Sequence, residues 1–279
     1  MTAQELTQAA ALVYSNRHYC QHFFPRCDTV ERVKDILRTL DQEWHVIDDK
    51  TISAVFTLET LRALTKIDRL CINASLVKEV VSELANLPRT TQTTISAPLE
   101  LISDLSKSGF ESRGIEVKLS RVPHESRTMQ LLPLSSPSEK DIPELSRAMY
   151  EAYLESGWNK YPDAAAAERR LRSLISEKNS DHLQDCSFMS KAGDKIVSAC
   201  LIIGDYTGAA VSELFTHPLY RARGLATTEL TACANSLALA RIPLLRVSVA
   251  AENEVLIRLL SKLGFSEDIR YTNMIRPKP

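Results

Sequence analysis

Two ten-residue segments that lie far apart in the chain resemble each other closely. They are ISDLSKSGFE at residues 102–111 and IRLLSKLGFS at residues 257–266, and six of the ten positions are identical. Each segment lies between two stretches of β-type residues and contains a Gly-Phe pair, which is typical of a helix stop. A segment that recurs together with its flanking order indicates two copies of one α/β unit. The sequence therefore predicts two tandem mixed-sheet α/β domains, at 1–123 and 128–279.

Hydrophobic patterning predicts the elements of both copies. In the first copy we expect helices over 3–19, 29–40 and 76–87, and strands over 44–47, 52–58, 67–72, 93–97 and 115–122. In the second copy we expect strands over 129–134, 187–191, 196–203, 210–218, 244–250 and 270–275, and helices over 141–154, 164–176, 227–241 and 253–263. Ser138 is the expected N-cap of the helix over 141–154, and Gly193-Asp194 is the expected hairpin turn.

Composition indicates a water-soluble globular protein. The chain has 279 residues, of which 44% are hydrophobic and 25% charged, with a formal net charge of -1. A near-neutral charge gives no general electrostatic reason to bind nucleic acid or an anionic membrane. The first eleven residues lack the pattern of a signal peptide, and no apolar run approaches the roughly 20 residues that span a bilayer. We therefore expect a cytoplasmic location.

Six scattered cysteines predict buried free thiols in a reducing compartment rather than a disulfide framework. A metal site is the alternative for one cluster, which consists of His18, Cys20, His22 and Cys27. Its spacing fits no standard zinc pattern, so we expect no bound metal.

One short segment has the features of an anion-binding loop. Arg221 to Ala226 lies between a predicted strand and a predicted helix, where unpaired backbone N–H groups meet the positive helix end. Gly224 has no Cβ and allows an anion to approach the backbone closely, and Arg221 and Arg223 add charge. The pattern favours a phosphate or pyrophosphate site, with an ordinary strand-to-helix turn as the alternative.

The order HPLYRARGLA, helix, RVSVAAEN and LLSKLGF resembles the GNAT acyltransferase superfamily over roughly residues 128–276. The resemblance implies a fold of two tandem GNAT-like mixed-sheet α/β domains. Since no glycine precedes Gly109, the first copy lacks a comparable loop and is predicted to be degenerate. We expect it to be structural or to shape the acceptor site, although a ligand of its own stays open.

The resemblance implies an acyl-CoA-dependent N-acyltransferase, which moves an acetyl group from acetyl-CoA, or another acyl-CoA, to an amine of a small molecule. Two alternatives remain: a catalytically inactive CoA-binding or interaction protein on the same fold, and a tandem acyltransferase with a longer acyl donor. We expect no nucleic-acid partner and no membrane partner, and a homodimer stays open.

Donor-binding residues follow from the same resemblance. Backbone N–H groups near Leu214, Phe215 and Thr216 would polarise the thioester carbonyl. Asn253 would contact the pantetheine or the acceptor, or else cap a helix. The pyrophosphate is expected at Arg221, Ala222, Arg223, Gly224, Leu225, Ala226 and Thr227.

Glu213 is the candidate general base, because it lies on the strand beside the thioester and has apolar neighbours. A solvent-facing strand glutamate is the alternative. Ser248 stands where some relatives have a glutamate base, and at most it orders a water. Leu260 stands where many relatives have a tyrosine that protonates the thiolate, and this departure favours the inactive alternative. Tyr153 and Tyr161 either line the acceptor pocket or pack helices together.

Overall fold

The computed structural model describes residues 8–12, 30, 33, 44–48, 52–61, 64–72, 81–82, 92–127, 131–155, 160–175, 181–205 and 208–277. The fold is a mixed α/β fold with two compact units. The first unit comprises Met1–Leu119, Ser248–Ile257 and Glu267–Pro279, and the second comprises Ser120–Val247 and Arg258–Ser266. These units exchange segments along the chain, whereas the predicted domains at 1–123 and 128–279 are continuous and stay a prediction.

The first unit is built on a mixed sheet with the strand order β1-β2-β3-β4-β11-β5. Strands β3 and β4 are parallel, and β11 is antiparallel to β4. Residues 8–12, 30, 33 and 81–82 are helical and fall within the predicted helices. The elements are β1 Trp44–Asp48, β2 Ile52–Leu61, β3 Leu64–Ile72, β4 Gln92–Pro98, α1 Ile102–Lys107, β5 Glu111–Arg121 and β11 Ser266–Arg276.

A polar network fixes the position of β11 in this sheet. The carboxylate of Glu116 on β5 accepts hydrogen bonds from Tyr271 Oη and, at 2.6 Å, from Asn273 Nδ2. Ser96 Oγ on β4 donates to Asn273 Oδ1 at 2.7 Å. Because a slip of one residue would turn these side chains to the other face, the network specifies a single register.

The second unit contains a five-stranded mixed sheet with the strand order β6-β7-β8-β9-β10. Neighbouring strands are antiparallel except β9 and β10, which are parallel. The elements are β6 Leu134–Ser135, α2 Ile142–Glu155, α3 Ala164–Ile175, β7 Phe188–Ala192, β8 Lys195–Asp205, β9 Gly208–Thr216, α4 Leu225–Leu239, β10 Leu245–Ala250 and α5 Glu254–Lys262. Part of β10 and part of α5 belong to the first unit, which includes Ser248–Ile257.

Strand β8 separates two layers of helix. Ala199 and Leu201 belong to a buried cluster with α2 and α3, which includes Leu145, Met149 and Leu171. Successive side chains of a strand point to opposite faces, so Ser198 and Cys200 face α4. Each face of β8 is covered, which explains its nearly continuous apolar sequence.

Local signals set the ends of several elements as predicted. The backbone N and Oγ of Ser138 donate to Asp141 Oδ2 at 3.1 and 2.7 Å, immediately before α2. Gly193-Asp194 forms a two-residue hairpin turn, because Ala192 pairs with Lys195. The predicted strand over 129–134 is confirmed only at Leu134, where β6 begins; residues 131–133 are not strand, since Pro133 has no N–H to donate to a ladder.

The repeated segment has the same local structure at both sites. Phe110 N donates to Leu105 O at 3.1 Å, and Phe265 N donates to Leu260 O at 3.0 Å. The glycine before each phenylalanine has a left-handed backbone, with φ 85° at Gly109 and 82° at Gly264. Both helices therefore end in a Schellman motif, and the Gly-Phe stop predicted from the sequence is confirmed.

Candidate functional site

Strands β9 and β10 separate after a short pairing. They are hydrogen-bonded in parallel register only at Ala209 with Leu245 and at Ala210 with Arg246, while β9 continues to Thr216. On its other edge β9 pairs with β8 and has a bulge at Ser212, where two partners on β8 face three residues on β9. Within the described part of the chain, the edge of β9 beyond Ala210 is thus open to an extended ligand.

The loop between β9 and α4 has the backbone of an anion site. Ala222 and Gly224 have φ values of 58° and 80°, so that the chain alternates in handedness before the helix. The first intrahelical bond is from Thr228 N to Gly224 O, at 3.0 Å. The N–H groups of Leu225, Ala226 and Thr227 lie at the positive helix end without an intrahelical acceptor. Such a concave set of N–H groups fits a phosphate or diphosphate.

The two loop arginines have different surroundings. Arg221 donates through Nη2 to Ala152 O at 2.7 Å and through Nε to Thr216 O at 3.3 Å. It therefore joins the loop to the ends of α2 and β9. Arg223 lies over the Tyr220 ring at 5.2 Å and is exposed, which leaves its charge accessible to an anion.

Glu213 lies on the α2–α3 face of the sheet with a fully buried side chain, so the alternative of a solvent-facing glutamate is wrong. Four side chains contact its carboxylate. Tyr161 Oη donates to Oε1 at 2.8 Å and Tyr153 Oη donates to Oε2 at 3.1 Å. Lys160 Nζ lies 2.8 Å from Oε2, and Arg170 Nε lies 3.4 Å from Oε1.

These contacts place the carboxylate of Glu213 beside two neutral phenols. Burial of the two hydroxyl groups, followed by the charge of Glu213, raises the pKa of Tyr153 and of Tyr161 well above the usual range. Both tyrosines are therefore hydrogen-bond donors at neutral pH. The two cations outnumber the one carboxylate, so the cluster carries a net positive charge.

Sequence reasoning missed Lys160 and Arg170. Lys160 lies in the α2–α3 gap near which the aromatic residues were noticed, and Arg170 belongs to an arginine-rich stretch of α3 that resembles a solvated face. Only the tertiary structure brings both side chains to Glu213.

Phe215, Leu214 and Thr216 follow Glu213 along β9 and alternate between the two faces. Phe215 is buried in the cluster with α2 and α3, whereas Leu214 and Thr216 are half-buried. Thr216 Oγ1 lies 2.9 Å from Ser198 Oγ. The backbone of this segment forms the open edge described above.

Ser248 and Asn253 belong to the first compact unit, whereas Glu213 and the loop belong to the second. Ser248 is exposed on β10. Asn253 Oδ1 accepts a hydrogen bond from Leu256 N at 3.2 Å, so its side chain caps α5. Leu260 is fully buried on α5 and offers no proton donor at that position.

Sequence reasoning also missed a second buried glutamate. Glu229 on α4 is fully buried and accepts hydrogen bonds from Ser190 Oγ at 2.8 Å and Ser198 Oγ at 2.7 Å. Burial raises the pKa of its carboxyl to about 8. The available signal was its spacing, because Glu229 stands four residues from Leu225 and from Cys233 on the apolar face of an apolar helix.

Known proteins resemble this chain in sequence pattern and in fold. Residues 145–265 match the model of the acetyltransferase (GNAT) family. A GCN5-related N-acetyltransferase of Sphaerobacter thermophilus is similar in structure, with a TM-score of 0.63 at 16% identity over 98% of this chain and 95% of that one. A Drosophila protein gives a TM-score of 0.64 at 11% identity over 99% and 97%. A tandem GNAT protein from the clavulanic acid biosynthesis pathway gives 0.51 at 12% over 98% and 95%.

No curated protein sequence matches the chain. Residues 145–265 thus match the GNAT family model, and the solved structures show that the fold is shared. The described residues contain no group of side chains able to hold a metal ion, and none of their helices has the length and apolarity to cross a bilayer. Cys186, Cys200 and Cys233 are buried free thiols, as predicted for them, whereas the metal alternative at His18 to Cys27 lies outside the described residues.

Proposed function

We propose that this protein is an acyl-CoA-dependent N-acyltransferase that transfers acetyl from acetyl-CoA to the amine of a small molecule. The observation that carries the proposal is the open edge of β9, which leads directly to the anion-binding loop at the start of α4. An amide-bearing arm and a diphosphate would find their hydrogen-bond donors there in the order in which they occur in CoA. The family match supports N-acetyltransferase activity at the level of the family.

The loop would hold the diphosphate of the acyl donor. Backbone N–H groups of Ala222 to Thr227 would donate to its oxygens, and Arg223 would add a charge. The β9 edge at Leu214 to Thr216 would pair with the amides and donate to the thioester oxygen as negative charge develops there. Roles for Ser248 and Asn253 stay predictions.

Glu213 would accept the proton that the acceptor ammonium loses. An acceptor amine would have to displace one of the donors that now contact its carboxylate. Lys160 and Arg170 are equally exposed, at 43%, and Lys160 makes the shorter contact, at 2.8 Å. With Leu260 in place of an acid, the thiolate would leave unassisted or take its proton from water. A thiol has a pKa of about 8.5, so the thiolate is a tolerable leaving group.

Calorimetric titration of acetyl-CoA and desulfo-CoA tests the donor site. Ala226 is half-buried in the first turn of α4, where an acidic side chain stabilises the helix but repels a phosphate. We expect Ala226→Glu to abolish binding and the matched neutral variant Ala226→Gln to retain it. Absence of binding to the unmodified protein would contradict the proposal, and equal binding by both variants would place the donor elsewhere.

A catalytically inactive CoA-binding protein is the second candidate, and the occupied carboxylate of Glu213 together with the buried Leu260 favours it. Tandem use of a longer acyl donor is a third, supported by likeness to a tandem GNAT protein. Release of CoA from acetyl-CoA and from longer acyl-CoAs in the presence of a panel of small amines separates the three. Binding without release with any amine would favour the inactive protein.

A further inference from the structure

Lys160 is held as a primary amine substrate would be held. Its Nζ lies 2.8 Å from Glu213 Oε2, and the Tyr153 and Tyr161 ring centroids lie 5.2 and 5.7 Å away. The two rings meet edge to face, with centroids 5.8 Å apart. A carboxylate and two aromatic faces form a recognition site for an ammonium group.

A second lysine in the same unit shows what is special about this site. Lys191 Nζ lies 3.1 Å from Asp141 Oδ1, and the two side chains are 35% and 7% exposed. The Lys160 pair is comparable, at 43% and 0%. Among the described residues, however, no aromatic ring is recorded against Lys191. Both lysines pair with a buried carboxylate, but only Lys160 lies in an aromatic cage beside β9.

We propose that Lys160 is an acetylation site of this protein and acts as an internal acceptor when no amine substrate is present. The proposal rests on the acetyl transfer proposed above. Glu213 Oε2, the nearest carboxylate oxygen, takes one proton from the Lys160 ammonium. The neutral Nζ then attacks the thioester carbon, the C–S bond breaks, and CoA leaves as a thiolate that takes up the second proton lost by Nζ. The products are acetyl-lysine, CoA and one released proton.

The position of the cage makes this transfer feasible. Glu213 directly precedes the Leu214–Thr216 edge proposed for the thioester, and Tyr153 Oη lies 3.5 Å from Leu214 O. A lysine has four side-chain torsions and Lys160 is nearly half exposed, so Nζ can turn from Glu213 towards this edge, where attack requires an approach of roughly 3–3.5 Å. Acetylation would remove the ammonium charge and end the ion pair with Glu213.

The full-length protein incubated with acetyl-CoA alone, followed by peptide mass mapping, tests the proposal. We expect one added acetyl group at Lys160, formed at least ~10-fold faster than at Lys191, because only proximity to a bound donor favours one lysine over the other. Lys191 is the matched control within the same sample, since acetyl-CoA that reacts from solution would modify both.

Two variants separate the ways in which the test can fail. In Ala226→Glu the excess at Lys160 should fall to the level of Lys191, and thermal melting against Ala226→Gln checks that the variant is folded. An excess that persists in Ala226→Glu would mean solution chemistry and would overturn the proposal. Acetyl-CoA binding by calorimetry without an excess at Lys160 would overturn this inference alone, whereas failure to bind would overturn the proposed function as well.

Discussion

Two fully buried glutamates, on opposite faces of one sheet, have opposite surroundings. Glu213 contacts a lysine, an arginine and two phenols, which together stabilise a negative charge. Glu229 accepts hydrogen bonds from two serine hydroxyls in the described part of the chain, and burial raises the pKa of its carboxyl to about 8. The proton transfer proposed for this protein uses the first environment, whereas the second keeps a neutral acid inside the fold.

Glu229 makes the stability of the protein depend on pH. Between its ordinary pKa of 4.5 and the raised value of about 8, the folded protein keeps a proton that the unfolded chain has lost. The free energy of unfolding therefore decreases as pH rises through this window. We expect the melting temperature of Glu229→Gln to change less with pH across this window. Relative to the unmodified protein, its melting temperature should therefore be higher above pH 8 than at low pH.

Thermal melts at a series of pH values measure this effect. Glu168→Gln is a matched control, since Glu168 is partly exposed and paired with Arg172 on the surface of α3. Parallel melting curves for Glu229→Gln and the unmodified protein would show that Glu229 is ionised in the folded state.

Glu213→Gln should lower the rate of acetyl transfer by about 100-fold while the affinity for acetyl-CoA stays the same, because general-base catalysis contributes about that much. Tyr161→Phe is the control: it removes one hydrogen bond but keeps the carboxylate, and we expect a much smaller loss. Steady-state kinetics with an amine found in the acceptor screen provide the measurement. Full activity of Glu213→Gln would leave Glu213 with a positioning role only.

Sequence reasoning was most successful where the information is local. The loop around Gly224 and the position of Glu213 on its strand follow from neighbouring residues. Lys160 and Arg170 were missed because their partner is more than forty residues away in the chain, at separations of 53 and 43. A single sequence gives the polarity of such a residue but not the carboxylate that it meets.

Elements were predicted well where their ends carry a chemical signal. The N-cap at Ser138, the hairpin turn at Gly193 and the two Gly-Phe helix stops were expected from residue types and were found. The predicted strand over 129–134 failed at 131–133 because Pro133 interrupts the ladder. The residues of β9 and β10 do not indicate how short their pairing is, because the pairing depends on the direction in which the two strands diverge.

Gly264→Ala tests the helix stop of the repeated segment. A Cβ at this position meets nothing within 4 Å, so only the left-handed backbone opposes it. We expect a loss of about 1–2 kcal/mol in the free energy of unfolding, from denaturant titration. Gly264→Asn should lose less, because asparagine tolerates this conformation. Equal losses for the two variants would mean that the cause is not the backbone angle.

At the scale of the whole molecule, each compact unit contains an arginine that lies over the phenylalanine of a repeated segment. In the first unit Arg276, at the end of β11, lies over Phe110 at 5.0 Å. In the second unit Arg121, at the end of β5, lies over Phe265 at 5.6 Å and donates to Leu263 O. Each phenylalanine is contacted by the arginine of the strand that follows the other repeated segment: Arg276 is on the strand after residues 257–266, and Arg121 is on the strand after residues 102–111. These equivalent contacts support a duplicated unit, and the two tandem domains stay a prediction.

The two arginine contacts predict separate responses to mutation. Arg276→Met should increase hydrogen exchange around Phe110, whereas Arg121→Met should increase it around Phe265, because each contact lies within its own unit. Exchange followed by mass spectrometry on the full chain gives the measurement, and each variant is the control for the other. Identical exchange patterns in the two variants would contradict two independent contacts.

The pairing of β4 with β11 also determines when the first unit can fold. Arg276 donates to Thr93 from 183 residues further along the chain, so a ribosome must add β11 long after β4 before β4 has its second neighbour. Until then β4 is a free strand edge, of the kind that pairs with other chains. Closing so long a loop is entropically slow, and the nascent first unit is therefore the stage at which this protein depends most on protection from aggregation.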